Sequence, residues 1–152
     1  MKRSNRDGQA KVFRVLLVDD NRNGLLARKS VLEEHGYEVH AHSLPLEAVA
    51  AFQQEPYDLV VTDYRMPRMT GAQLIVEVRA VKPDVPIVLV SGVVDVLGLD
   101  EKSTGADVVI PKSSTEVTHL VRAVNRLLEA PAAKKPVKPQ SASAPKARKK
   151  TG

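Results

Sequence analysis

Apolar residues follow two alternating patterns along most of the chain, short unbroken runs and longer stretches with helical spacing. The unbroken runs are rich in β-branched residues and end at polar, glycine or proline residues, which is typical of strands buried on both faces. Because a helical pattern follows each run, the sequence predicts an α/β fold whose parallel strands are joined by helical crossovers. Five strands are predicted in this way, at residues 13–18, 37–41, 58–62, 87–90 and 107–110.

Five helices are predicted from the stretches with helical spacing. They cover residues 22–35, a short segment from residue 45 onward, residues 71–81, residues 93–104 and a last stretch that ends near Ala130. The 93–104 helix has the weakest pattern, because Gly98 lowers helix stability by about 1 kcal/mol relative to alanine. We expect that helix to be short, irregular or mobile.

Both ends of the chain differ in charge from its middle. Residues 1–11 carry four basic side chains and one acidic one, and residues 131–152 carry seven basic side chains and no acidic one. Since the whole chain has a net charge of +5, residues 12–130 must have a net charge of −5. Residues 131–152 contain almost no large apolar side chain, so they cannot bury enough surface to offset the entropy lost on ordering. The sequence predicts a basic flexible N-terminus (1–11), one folded domain (12–130) and a disordered Lys/Ala/Pro-rich basic tail (131–152).

Composition also bears on the cellular setting. The sequence has no cysteine, which excludes disulfide bonds and thiolate metal sites and favours a reducing compartment. No apolar stretch approaches the roughly 20 residues that a membrane-spanning helix needs. The apolar run near the N-terminus ends at Asp19 and Asp20 without a small-residue cleavage site, so we expect no secretory signal. We predict a cytoplasmic protein with no membrane partner.

Polar residues with useful chemistry occur where the predicted strands end. Asp19 and Asp20 follow the first strand, Asp63 follows the third, Ser91 follows the fourth and Lys112 follows the fifth. Because the carboxyl ends of parallel strands share one edge of a sheet, we expect these five side chains to converge.

This set of side chains fits phosphoryl transfer to a carboxylate. Three carboxylates placed together repel one another unless a cation lies among them, and oxygen ligands without Cys or His favour Mg²⁺. In this interpretation Asp63 is the nucleophile and Asp20 and Asp63 are metal ligands. Lys112 supplies positive charge to the phosphoryl group and Ser91 supplies a hydroxyl.

The same residues lie in motifs that resemble the receiver domain of two-component response regulators. The central motif, Asp-x-x-Met-Pro-x-Met-x-Gly, is highly characteristic when an acidic pair, a hydroxyl residue and a lysine accompany it in this order. The resemblance covers roughly residues 12–129 and is of the single-domain type with a basic C-terminal tail. The residues that carry it include Val18-Asp19-Asp20-Asn21, Asp63-Tyr64-Arg65-Met66-Pro67-Arg68-Met69-Thr70-Gly71, Ser91-Gly92, Gly105-Ala106-Asp107 and Lys112.

The resemblance implies both a fold and a set of residue roles. It implies a flavodoxin-like, doubly wound sheet of five parallel strands in the order 2-1-3-4-5, with five helices. Asp63 would accept phosphate from a phosphohistidine on a sensor histidine kinase or phosphotransfer protein. Mg²⁺ would be bound by Asp20, Asp63 and the backbone carbonyl of Arg65, with Asp19 acting through water. The chain would then be a phosphorylation-controlled regulator, catalysing only its own aspartyl phosphorylation and dephosphorylation.

Two positions depart from the family pattern. The family usually has a proline after its lysine, in a cis peptide bond, whereas Ser113 follows Lys112 here. A cis bond without proline costs about 3–4 kcal/mol, so we expect a trans bond and a reshaped loop. Val109 stands where receivers commonly have an aromatic residue that rotates on activation. We therefore expect the signal to leave through other protein contacts or through the tail.

Other functions also agree with parts of the sequence. No effector domain is expected after the last helix, and residues 131–152 are either a solvated extension or a lysine-rich arm. Such an arm would bind nucleic acid or another acidic partner by charge, without base specificity. The chain could then be a phosphate-independent scaffold or a nucleic-acid-associated protein. A haloacid-dehalogenase-like phosphohydrolase is a weaker alternative, because that family has Asp-x-Asp after its first strand whereas Asp19 and Asp20 are adjacent.

Overall fold

A computed structural model of the chain describes residues 2–4 and 10–129. Five parallel strands form the main sheet in the order β4-β3-β5-β6-β7. Counted from the first strand of that sheet, the order is 2-1-3-4-5, so the predicted flavodoxin-like arrangement is confirmed. The strands of the described residues are β1 (Lys2–Ser4), β2 (Ala10–Val12), β3 (Arg14–Val18), β4 (Glu38–His42), β5 (Leu59–Thr62), β6 (Ile87–Ser91) and β7 (Val108–Pro111).

The helices agree with the prediction except between β6 and β7. There the predicted single helix is replaced by two helices of four residues, because Gly98 adopts a left-handed conformation with φ of 63° and ends the first of them. The predicted count of five helices is therefore wrong for the described chain, although the expectation of a short and irregular segment is confirmed. The first of these short helices buries none of its side chains. The helices are α1 (Arg22–Glu34), α2 (Pro45–Gln54), α3 (Gly71–Val81), α4 (Val94–Leu97), α5 (Glu101–Thr104) and α6 (Glu116–Glu129).

Helices cover both faces of the sheet, and this explains why the strand sequences are continuously apolar. Successive residues of β3 point to opposite faces, so that Leu17 joins one apolar cluster and Leu16 joins the other. On the first face the sheet packs against Leu32 of α1 and Leu120 of α6. On the second face it packs against α2 and α3, with Leu74 fully buried. Both clusters hold the strand ends of β3, β5, β6 and β7 in fixed positions.

A small two-stranded sheet precedes the main sheet. Strands β1 and β2 pair antiparallel, with Lys2 opposite Val12. The sequence predicted only a basic flexible segment at residues 1–11, because three-residue strands are too short to show an alternating pattern. The predicted tail at residues 131–152 lies outside the described residues.

The loop after β5 leads into α3 through a reciprocal capping arrangement. The Thr70 hydroxyl accepts a hydrogen bond from the Gln73 backbone N–H at 3.1 Å, and the Gln73 side chain accepts one from the Thr70 N–H at 2.9 Å. This capping box satisfies two donors that the helix itself leaves unpaired. It fixes the start of α3 close to the end of β5.

Replacing this cap should weaken the fold measurably. We expect Thr70→Ala to lower the free energy of unfolding by about 1 kcal/mol, because the Gln73 N–H loses its side-chain acceptor. Urea denaturation followed by circular dichroism measures the change. Ser30→Ala, at an exposed position inside α1, is the matched control and should not lower the free energy of unfolding, because alanine favours a helix interior more than serine does. Equal effects of the two substitutions would show that the cap does not stabilise α3.

Candidate functional site

The ends of β3 and β5 bring three carboxylates together at one edge of the sheet. Asp19 and Asp20 directly follow β3, and Asp63 directly follows β5. Each of the three offers an oxygen that lies within 4.8 Å of the oxygens offered by the other two. Asp19 is 1% exposed and Asp63 is 8% exposed, whereas Asp20 faces solvent. We call this group of three carboxylates the acidic pocket.

Lys112 approaches the acidic pocket from the end of β7. Its Nζ lies 3.1 Å from Oδ2 of Asp63 and 3.5 Å from Oδ2 of Asp19. Its backbone N–H donates to the carbonyl of Ser91 at 2.9 Å, which fixes the position of Lys112 relative to β6. The Lys112–Ser113 peptide bond is trans, as expected for a non-proline residue at position 113. Lys112 therefore contacts Asp63 with a trans peptide bond after it.

The surroundings of Asp63 disfavour its charged form. Burial raises the pKa of the Asp63 carboxyl above its usual value, and the nearby Asp19 carboxylate raises that pKa further. The positive charge of Lys112 and the Tyr64 backbone N–H, which donates to Oδ1 at 2.7 Å, both lower the pKa but do not cancel the effect of burial. Additional positive charge in the acidic pocket would stabilise the ionised form.

The donor atoms of the acidic pocket fit a hard divalent cation. The pocket offers carboxylate oxygens without sulfur or imidazole ligands, which suits Mg²⁺. Its exposed member, Asp20, leaves the pocket open to solvent on one side, so a cation there could keep some of its water ligands.

Ser91 and Arg65 are the two remaining residues of the predicted site, and they lie at the end of β6 and in the loop after β5. Ser91 ends β6 and is 1% exposed, and its hydroxyl accepts a hydrogen bond from the Val93 N–H at 3.2 Å. Its backbone carbonyl binds the Lys112 N–H, so Ser91 is tied to the site through the main chain. Arg65 lies in the exposed loop two residues after Asp63.

Two charged residues of the site were missed by the sequence analysis. Arg28 is 4% exposed, and its guanidinium contacts Asp19 Oδ2 at 2.5 Å through one terminal nitrogen. Its Nε contacts Glu116 Oε2 at 2.8 Å, at the start of α6. A sequence signal did exist, because Arg28 interrupts the apolar stripe of α1 between Leu25 and Leu32. A charged residue at such a position must find a partner in the interior.

The helices of the described residues were also compared with the length and apolarity that a membrane-spanning helix needs. Among residues 2–4 and 10–129, none of the helices is both long and apolar enough to cross a bilayer.

Sequence comparisons relate the chain to signalling proteins. The family model described as "Response regulator receiver domain" matches residues 15–125. The "Two-component response regulator ORR42" of Oryza sativa subsp. japonica is 37% identical over 112 residues, which cover 72% of this chain and 83% of that protein. "Sensor protein GacS" of Pseudomonas syringae pv. syringae is 48% identical over 67 residues, covering 44% of this chain. The matches span only 17% of the transcriptional regulator DctD of Rhizobium meliloti and 7% of GacS.

Solved structures agree with the sequence comparisons. The response regulator TrrA of Thermotoga maritima, in complex with Mg(2+)-BeF, has a TM-score of 0.69 and 33% identity, covering 76% of this chain and 99% of that chain. A CheY-like receiver domain protein of Methanospirillum hungatei has a TM-score of 0.70 and 28% identity, covering 78% and 96%. The site geometry, the family match and these structures together show that the chain belongs to the response regulator receiver domain family of two-component systems.

Proposed function

We propose that this chain is a phosphorylation-controlled response regulator in which Asp63 is the phosphoacceptor. The observation that carries the proposal is the Lys112 Nζ at 3.1 Å from the buried Asp63 carboxylate, within a pocket formed by two further aspartates. A surface aspartate used only to cap a helix would need neither a buried acid beside it nor a lysine from another strand.

The transfer step follows from the positions of these side chains. A carboxylate oxygen of Asp63 forms a bond to phosphorus while the P–N bond of a donor phosphohistidine breaks, and the donor imidazole leaves with the bonding electron pair. Lys112 lies close enough to Asp63 to neutralise charge on the incoming phosphoryl oxygens. The backbone N–H of Tyr64 orients the carboxylate by binding its other oxygen. We assign to the Ser91 hydroxyl a hydrogen bond with the phosphoryl group once Asp63 is phosphorylated.

The acidic pocket is the proposed Mg²⁺ site. Asp20, Asp63 and the backbone carbonyl of Arg65 would be direct ligands, and Asp19 would act through water. Mg²⁺ bound there would supply positive charge to the phosphoryl oxygens. Support from this chain is the arrangement of Asp19, Asp20 and Asp63, which each offer a carboxylate oxygen within 4.8 Å of the other two.

Partners and output extend the proposal. We propose a sensor histidine kinase or phosphotransfer protein as donor, acting in the cytoplasm, with catalysis limited to the chain's own phosphorylation and dephosphorylation. The receiver matches within sensor kinases support this donor class. The output is a protein contact or the predicted basic tail, through which a nucleic acid or another acidic partner would be bound by charge.

A phosphate-independent scaffold is the second candidate function. Val109 favours it, because this position on β7 carries no aromatic side chain that could rotate on phosphorylation. In this case the receiver fold would present its binding surfaces without a phosphorylation step.

Intact mass spectrometry distinguishes the two functions. The chain is incubated with acetyl phosphate in the presence of Mg²⁺ and, in parallel, with EDTA. The proposal expects one phosphoryl group per chain, acid-stable and base-labile, that forms only with Mg²⁺. If neither acetyl phosphate nor a phosphorylated kinase yields this adduct while Mg²⁺ still binds, the scaffold function is supported instead.

A further inference from the structure

Arg28 is a buried cation that contacts the acidic pocket through Asp19. It is 4% exposed and bridges two carboxylates, Asp19 at 2.5 Å and Glu116 at 2.8 Å. The partners come from different parts of the fold, since Glu116 lies 88 residues away at the start of α6. The receiver match alone does not predict this bridge, because it depends on a charged residue in the apolar stripe of α1.

The first turn of α1 leaves the space that the guanidinium needs. A Cβ atom added to Gly24 would lie 3.0 Å from a terminal nitrogen of Arg28 and 3.5 Å from its central carbon. A Cβ atom at position 24 would therefore require the Arg28 guanidinium to shift by a few tenths of an ångström. Removing a guanidinium from water is costly unless its donors are paired, and the two carboxylates provide that pairing.

Arg28 also takes one of the hydrogen-bond acceptor sites of the Asp19 carboxylate. Oδ2 of Asp19 contacts both Arg28 and, at 3.5 Å, the Nζ of Lys112. Oδ1 accepts a hydrogen bond from the Asn21 N–H at 2.9 Å. Oδ2 of this buried carboxylate thus has two cationic partners already, and a water molecule of a bound cation that approached Oδ2 would compete with Arg28.

We propose that Arg28 is a built-in counter-ion of the acidic pocket that competes with Mg²⁺, and that Glu116 sets the strength of this competition. Glu116 pairs with the same guanidinium as Asp19, and its negative charge partly compensates the positive charge that Arg28 presents to the pocket. This inference rests on the Mg²⁺ site of the proposed function. It adds a positioning residue, Arg28, and a link between metal binding and α6.

The electrostatic consequence is a weakened affinity for Mg²⁺. A fixed positive charge beside a divalent cation raises the free energy of the bound state, even when solvent screens much of the repulsion. Removing the charge of Arg28 should tighten Mg²⁺ binding by about tenfold. This estimate assumes that the charge lies a few ångströms from the cation and that the repulsion is screened as in water. Removing the charge of Glu116 leaves the guanidinium to Asp19 alone and should weaken binding by about threefold.

The test is an NMR titration with MgCl₂ at constant ionic strength, which follows the backbone amides of Asp20, Asp63 and Tyr64. Arg28→Gln should bind Mg²⁺ more tightly than the wild type, and Glu116→Gln less tightly. Lys29→Gln is the matched control: it removes a positive charge from the neighbouring position of α1, where Lys29 pairs with the exposed Glu33. Its affinity should stay within about twofold of the wild type.

The double variant Arg28→Gln/Glu116→Gln separates a direct effect of Glu116 from one that acts through Arg28. The proposal expects it to bind Mg²⁺ as tightly as Arg28→Gln alone. A merely structural role of Arg28 would lower stability without tightening Mg²⁺ binding. If Arg28→Gln is too unstable to measure, unchanged affinity in Glu116→Gln would by itself overturn the inference.

The possible failures are distinguishable. If the wild type binds Mg²⁺ and neither Arg28→Gln nor Glu116→Gln changes the affinity, the counter-ion inference is wrong and the proposed function stands. If neither the wild type nor Arg28→Gln binds Mg²⁺, the proposed metal site is wrong and the inference fails with it. If Arg28→Gln binds Mg²⁺ and the wild type does not, Arg28 prevents Mg²⁺ binding altogether, which would support the inference.

Discussion

Asp63→Asn is expected to abolish phosphorylation by acetyl phosphate, with no adduct detectable by intact mass under conditions that fully modify the wild type. The asparagine amide keeps the size of the side chain and still accepts the Tyr64 N–H, but it lacks the anionic oxygen that attacks phosphorus. The fold should survive, because the substitution also removes a buried carboxylate whose charged form is disfavoured. Loss of phosphorylation would therefore report chemistry and not unfolding.

An exposed aspartate provides the control for this result. Asp84 lies on the surface between α3 and β6, so Asp84→Asn should be phosphorylated like the wild type. Circular dichroism of both variants checks that the fold is retained. A full-yield adduct on Asp63→Asn would place the phosphoacceptor elsewhere and would remove the main support for the proposed residue roles.

Gly71→Ala is expected to destabilise the domain by at least about 3 kcal/mol, the largest effect on stability that we predict for a single added methyl group. A Cβ at position 71 would lie 2.2 Å from the backbone carbonyl oxygen of Asp63 and 3.0 Å from the Cα of Tyr64. Both neighbours are backbone atoms, so no side-chain rotation can relieve the overlap. The chain must shift at the residue that carries the proposed nucleophile.

Denaturation in urea measures this loss, and Gly92→Ala is the matched control. A Cβ at position 92 would meet only the Lys112 side chain, at 3.9 Å, which is an ordinary contact. We expect Gly92→Ala to change the free energy of unfolding by less than about 1 kcal/mol. Similar losses for the two variants would show that the close approach of Gly71 to Asp63 is not what makes glycine necessary there.

Much of the fold could be predicted because burial on both faces leaves a direct mark on the sequence. The unbroken apolar runs at β3, β5 and β6 coincide with strands whose side chains are almost completely buried. The order of the strands came from the resemblance to receivers, since apolar runs alone do not say which strands are neighbours. The break at Gly98 was visible only as a weakness of the pattern, because glycine both lowers helix stability and permits a left-handed turn.

The site was predictable where local sequence determines position. Asp19, Asp20, Asp63 and Lys112 directly follow strands, and the sheet edge then brings them together. The Arg28–Glu116 pair could not be predicted in the same way, because it joins residues distant in the chain and a charged residue on a helix is usually solvated. The structure fixes where these residues lie, and the roles assigned to all the predicted site residues stay predictions.

The helix α4 carries its apolar side chains on the outside of the molecule. Val96 is 81% exposed and Leu97 is 45% exposed, and no residue of this helix is buried. Core packing therefore places almost no restriction on which amino acids these positions accept. Substitutions in this segment can change the exposed surface while the hydrophobic core and the acidic pocket stay as they are. The short helix is thus a segment whose sequence can diverge among chains of this fold at little cost in stability.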